Sequence, residues 1–477
     1  AKPVVSNPSP HSSTVIAGGG TTAAGRRVAW RVGLVVAIVA GGLLSWQPTR
    51  RSIRPAAVDA APAVAVDGAP STTPLSESER RDANIALFTS AVQQDPASAQ
   101  FRAQLALQHL QRARETGSVA DVAIAEREAR ASLAHRTQNN GAAFAILAEA
   151  LLEQHRFEEA GAVVRQLVAG SPDVPVYLAM LGEVELELGN YEAATRAFAA
   201  ISPDDRMALA ITTRLARLAE IKGDTSAARV RLDRAAALSL ADGTLPAEQR
   251  AWFQLRVADY QLRHGALEAA DRALQRGLHI SPDDNRLLGA TARLRAVQGN
   301  WPAAIERGDR AIAIVLDPAT IGLVGDAYAA LGDTATAQEY VRTMEIAVRS
   351  QPGAFHRAWS LFLLDHGLRI SAVHENVRRE LRTRRDIYGH DLLGWALFKR
   401  GRFVEARAEM TLAMAQGTQD AVVFYHAGMV ERAAGDPVRA AALLRRALAV
   451  NPYFDPIHPA SARATLDSIA RETSRRE

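Results

Sequence analysis

The chain of 477 residues has no cysteine. No disulfide framework and no thiolate metal site can form. Lysine is almost missing, with only Lys2, Lys222 and Lys399. Arginine carries the remaining positive charge, and this bias beside abundant alanine suggests a GC-rich bacterial source. Alternating Val, Ile and Thr is scarce, so sheet is disfavoured and helix favoured. The sequence holds no His-Glu-x-x-His pair, no phosphate-binding Gly loop and no Gly-x-Ser-x-Gly elbow. Its twelve histidines are scattered. His264 and His366 each precede a Gly, where imidazole suits a helix carboxyl end. His356, His390 and His426 fall in neighbouring units without a ligand pattern. The Ser-Pro-Asp-Asp strings at 202–205 and 281–284 read as turns that cap the next helix. No catalytic, cofactor-binding or metal residue is assigned, and the chain is not expected to be an enzyme.

What is present is a repeat. Alanine recurs at Ala160, Ala194, Ala228, Ala270, Ala304, Ala337, Ala372, Ala406 and Ala440. Successive differences are 34, 34, 42, 34, 33, 35, 34 and 34. Twelve residues earlier lies a second small column: Ala148, Gly182, Ala216, Ala258, Ala292, Gly325, Ser360, Gly394 and Gly428. Five residues before each Ala stands a third: His155, then Gly189, Gly223, Gly265, Gly299, Gly332, Gly367, Gly401 and Gly435. A period near 34 with small residues in fixed slots predicts stacked helix pairs. The Gly ends the first helix in a left-handed turn. The other small residues let two helix backbones approach closely. Pro172, Pro282 and Pro452 stand near the close of second helices and stop them. The step of 42 marks an insertion, and residues 240–246 have the turn chemistry to hold it.

This pattern resembles the tetratricopeptide repeat family. Leu181-Gly182, Gly189-Asn190-Tyr191, Ala194 and Phe198 fill most slots of one unit. Phe424, Gly428, Gly435, Ala440, Leu444, Ala447 and Pro452 fill another. Nine units run from about Asn140 to Pro452, and a degenerate tenth from Ala97 to Arg136. The resemblance implies an all-α, right-handed superhelical solenoid of about ten antiparallel helix pairs. It also implies a concave groove, lined by the first helices, in which a partner segment binds. The family's groove slots map onto Glu149, Glu153, Glu183 and Glu187 in the first units. Arg214, Arg217, Arg256, Arg263, Arg286 and Arg293, with Asp259, fill the middle. Tyr388, Asp391, Trp395, Tyr425, His426, Met429 and Arg432 fill the last two units. The arginines together with Tyr388, Trp395 and Tyr425 are the candidate partner-binding residues. The Lys and Asn clamp that some members use for a terminal carboxylate has no counterpart: the slots hold Thr213, Arg214, Arg217, Leu255 and Asp259.

The first 75 residues differ. They carry seven basic residues against Asp59 and Asp67, a net of +5, which leaves residues 76–477 at about −1. The basic balance belongs to the tail, so a nucleic-acid role for the repeats loses its main support. Residues 1–27 read as a disordered basic tail. Residues 28–46, flanked by Trp30 and Trp46, are just long enough for a transmembrane helix. A cleaved export signal, suggested by Arg26-Arg27, and a plain apolar stretch are the alternatives. Residues 47–76 form a Pro- and Ala-rich linker, 77–459 the solenoid and 460–477 a capping helix and tail. The expectation is a scaffold anchored once in the inner (cytoplasmic) membrane, with its repeats periplasmic or extracytoplasmic. Its partners would be other proteins, acidic segments among them, with no nucleic acid and no small-molecule substrate. Alternatives are a permanent structural subunit of a large membrane complex, or the non-catalytic recognition subunit of an enzyme.

Overall fold

The computed structural model describes residues 75–349 and 357–475. Among these residues there are 22 α-helices, one short 3-10 turn and no strand. The helix α1 (Glu77–Gln94) leads into ten antiparallel pairs. Unit one is α2 (Ala99–Thr116) with α3 (Val119–His135), and unit two is α4 (Gly141–Glu153) with α5 (Phe157–Gly170). Unit three is α6 (Pro175–Leu188) with α7 (Tyr191–Ala199), and unit four is α8 (Leu209–Ile221) with α9 (Thr225–Ala241). Unit five is α10 (Ala247–Arg263) with α11 (Leu267–Ile280), and unit six is α12 (Asn285–Val297) with α13 (Trp301–Ile314). Unit seven is α14 (Pro318–Ala330) with α15 (Thr334–Arg349), and unit eight is α16 (Arg357–Asp365) with α17 (Ile370–Glu380). Unit nine is α18 (Ile387–Lys399) with α19 (Phe403–Met414), and unit ten is α20 (Ala421–Ala433) with α21 (Pro437–Val450). The helix α22 (His458–Ser474) covers the last pair.

The two alanine-type columns are the seams within the pairs. Ala160, Ala194, Ala228, Ala270, Ala304, Ala406 and Ala440 are fully buried. Their partners in the first helices are buried too, and a Cβ at Gly182 or Gly428 would strike Phe198 or Leu444. Asp224, Asn300, Asp317 and Asp436 cap the helices that follow them through side-chain oxygens, as Asp284 does for α12. Unit eight slips by one residue. Ala372 is exposed, and Val373 and Val377 take the buried face instead. In unit seven Ala337 is only half-buried, because α15 packs on α14 and scarcely touches α16. The turn glycines all have positive φ, and His155 holds the same left-handed conformation at φ 58°.

A packing test follows from these columns. Ala304→Leu is expected to cost about 1–3 kcal/mol through overpacking, whereas Ala372→Leu leaves stability nearly unchanged. Equal urea midpoints for the two variants would contradict the register.

The expectation of an inner-membrane protein with one transmembrane helix is corrected. No helix among the described residues is long and apolar enough to cross a membrane. The segment 28–46 that suggested the span, like the tail and most of the linker, lies outside the described residues.

Candidate functional site

The first helices of successive units lie side by side, so residues about one repeat apart can touch. The arginines expected in the groove use this geometry to pair with carboxylates of the preceding unit. Arg214 Nε donates to Glu183 at 2.6 Å, and Arg217 reaches Glu187 at 2.6 Å. Arg263 meets Glu220 at 2.6 Å, and Arg293 meets Asp259 at 3.2 Å. Arg286 is shared between Glu248 and its own cap Asp284, both at 2.6 Å. At the amino end Arg114 holds Glu149 at 2.5 Å. The structure thus brings the expected arginines together on one face and neutralises most of them internally. Such half-buried pairs mainly fasten unit to unit. Removing one member leaves the other poorly solvated, and that loss exceeds the gain from making the pair.

Arg256 is the exception. Among the described residues no carboxylate lies within ion-pair distance of its guanidinium, which sits 5.9 Å from the Trp252 ring. Burial, and then the neighbouring Arg263, depress its pKa, although Asp259 and Glu220 act in the opposite sense. It is therefore a cation whose environment favours an added negative charge.

The carboxyl-terminal candidates are placed differently. Trp395 and Tyr425 are buried at 2% and 3% exposure. Trp395 donates its indole N–H to Asp365 at 2.8 Å and stacks on His426 at 4.2 Å. His426 pairs with Asp391 at 2.9 Å. Tyr425 packs against Phe454 and His458, which the chain brings up as it enters α22. His458 is held between Asp365 and Asp455, and although burial opposes its charge these carboxylates raise its pKa to about 10. Met429 lies under Thr465 of α22, and Arg432 pairs with Glu472. These side chains form the core beneath the last helix. Tyr388 stays half-buried, with Arg357 5.5 Å above its ring, and burial pushes its phenol up to about 12.

Sequence reasoning named Glu183 and Glu187 but missed Arg357 and Arg384, which face them. A cavity of about 480 Å³ opens where His155, Phe157, Glu183 and Glu187 face Arg357 and Arg384. Arg384 bonds Glu187 at 2.6 Å and Asp386 at 2.8 Å, and its guanidinium lies 4.4 Å from the Phe157 ring. Burial raises the Glu187 carboxyl, but Arg217 and Arg384 outweigh it and hold the carboxyl below its ordinary range. No sequence signal joins these residues, because they stand about two hundred positions apart.

No protein-family model matches the chain, and no curated protein matches it. Solved structures do. The chain is similar to one in the APC/C hetero-tetramer Cut9–Hcn1, with 12% identity over 82% of this chain and 93% of that one, at a TM-score of 0.32. It is also similar to the human IFIT1 dimer with PPP-AAAA, with 13% identity over 79% and 95%, at a TM-score of 0.39. The fold described above is an all-helical solenoid of stacked antiparallel helix pairs.

Proposed function

We propose that this chain is a non-catalytic protein-interaction scaffold that holds an acidic segment of a partner protein in its concave groove. The observation that carries this reading is Arg256 beside Trp252. The neighbouring arginines are matched by internal carboxylates, and this one is not. An arginine fork above an aromatic face suits a carboxylate on a peptide that packs against the ring. The partner is a protein rather than a nucleic acid, because a phosphate backbone needs a run of unpaired cations. The remaining arginines act as spacers that keep the first helices in register.

The test is fluorescence anisotropy with a labelled Asp- and Glu-containing peptide of about one groove length. Arg256→Gln is expected to weaken binding about 10- to 100-fold, the worth of a hydrogen bond to a charged group. The effect should shrink at high salt, where exposed charges are screened. Equal affinity of the Arg256→Gln variant and the parent chain would remove Arg256 from the site.

A further inference from the structure

The turn glycines fall into two groups. A Cβ at Gly299, Gly332, Gly367, Gly401 or Gly435 would meet nothing within 4 Å. A Cβ at Gly117, Gly189, Gly223 or Gly265 would collide with Val315, the Arg385 carbonyl, the Gly417 carbonyl or the Asn451 side chain. In each case the obstacle is the loop before the unit six places further on, with α22 standing as the eleventh. The solenoid therefore comes round onto itself, and its amino-terminal turns touch its carboxyl-terminal loops along a seam.

The seam is bonded. Arg385 N–H donates to the Leu188 carbonyl at 3.0 Å, and Ile387 N–H to the Tyr191 hydroxyl at 2.7 Å. Arg384 reaches both the carbonyl and the carboxylate of Glu187. Lys222 meets Gln416 at 2.5 Å. Asn451, itself buried, donates to the Leu262 and Arg263 carbonyls at 2.8 and 3.2 Å. Most of these contacts are polar, with Ile387 and Tyr388 adding apolar contact to the core of units three and four, whereas the cores of units four to six and of units eight to ten run along the stack. Within the ten pairs, the long helix α15 buries only Met344 and Ala347, and it lies between the two arcs that the seam joins.

We propose that the seam is a latch. The superhelical turn opens along its glycine rungs, with α15 yielding, and units nine and ten swing away from units three to five without unfolding. In the closed form the inner face is reached only from its ends, so the latch holds the groove in a low-affinity state. That last consequence rests on the groove reading above, while the opening itself does not.

The absence of cysteine makes the test clean. Glu192 and Thr383 are exposed on either side of the rung at Gly189, and Glu192→Cys with Thr383→Cys accepts a spin-label pair. Pulsed electron resonance on the full chain should give one narrow, short distance. Adding Arg384→Gln and Asn451→Ala should introduce a second, longer population at unchanged helical circular dichroism. A single unchanged distance in that variant would overturn the latch, as would a broad distribution in the parent. The same cysteine pair bridged by a short bis-maleimide serves as a second arm that needs no seam mutation. Bridging should slow uptake of the acidic peptide, and opening the seam should tighten it about a hundredfold if the open form is about a hundredth populated. Equal uptake by bridged and unbridged chains would also overturn the latch. Binding by neither would sink the groove reading, and the spin-label distance would then decide the latch alone.

Discussion

Gly189→Ala is expected to destabilise the protein by about 2–5 kcal/mol, and Gly401→Ala by only about 1–2 kcal/mol. Both positions have left-handed backbones, φ 81° and 72°. An L-residue there costs about 1–2 kcal/mol. At Gly401 nothing else stands in the way, whereas at Gly189 the new Cβ would lie 2.3 Å from the Arg385 carbonyl oxygen. The rung must part or the turn must move, and overpacking of this kind adds about 1–3 kcal/mol. Urea denaturation of the two variants measures the difference. Matching losses would mean that the rung contributes nothing in solution.

Asp121→Asn is expected to cost about 2 kcal/mol at neutral pH and almost nothing near pH 2. Asp121 is buried at the start of α3, where it takes a two-pronged Arg112 at 2.6 and 3.0 Å and His109 at 2.5 Å. Burial alone would raise its carboxyl, but the bonds from Arg112 and His109 prevail and hold it at about 2 against an ordinary 3.8. A depressed acid stabilises the fold above its unfolded pKa. That stability is lost as pH falls through the folded value. The window therefore runs from about pH 4 down to about pH 2, and a carboxyl lowered that far contributes roughly 2 kcal/mol. Denaturation midpoints of the parent and variant should converge across this window. A gap that persists at pH 2 would assign the loss to packing rather than charge.

The repeat itself was legible because each unit meets its neighbour at a constant sequence distance. Small residues in the close-approach slots repeat with the backbone geometry that needs them. Unit eight misled because Ala372 kept the period while Val373 and Val377 supplied the buried surface. The positions of the arginines on the first helices were legible, but their charge state was not. Opposite signs one repeat apart, as in Glu183 with Arg214 or Asp259 with Arg293, announce the pairing once first helices are known to adjoin. Trp395 and Tyr425 were assigned to the groove by their slots. They are core because α22 lies over unit ten, and a helix beyond the last repeat has no periodic signature. The seam left no trace at all. Gly189 and Gly401 look alike in sequence, since both need the same turn, and only the folded chain distinguishes them.

An open array of repeats can fray from its ends one unit at a time, because each unit answers only to its neighbours. Here bonds such as Ile387 to Tyr191 and Asn451 to Leu262 join residues 196 and 189 positions apart. During synthesis the carbonyls of Leu188, Leu262 and Arg263 must wait for nearly two hundred further residues before their partners leave the ribosome. Until then that edge is hydrated or borrowed by other chains, the exposure that favours misassembly in large proteins. Once closed, the ring gives the array a long-range contact order that lowers its folding rate. It also ties the melting of units three to five to that of the carboxyl-terminal units.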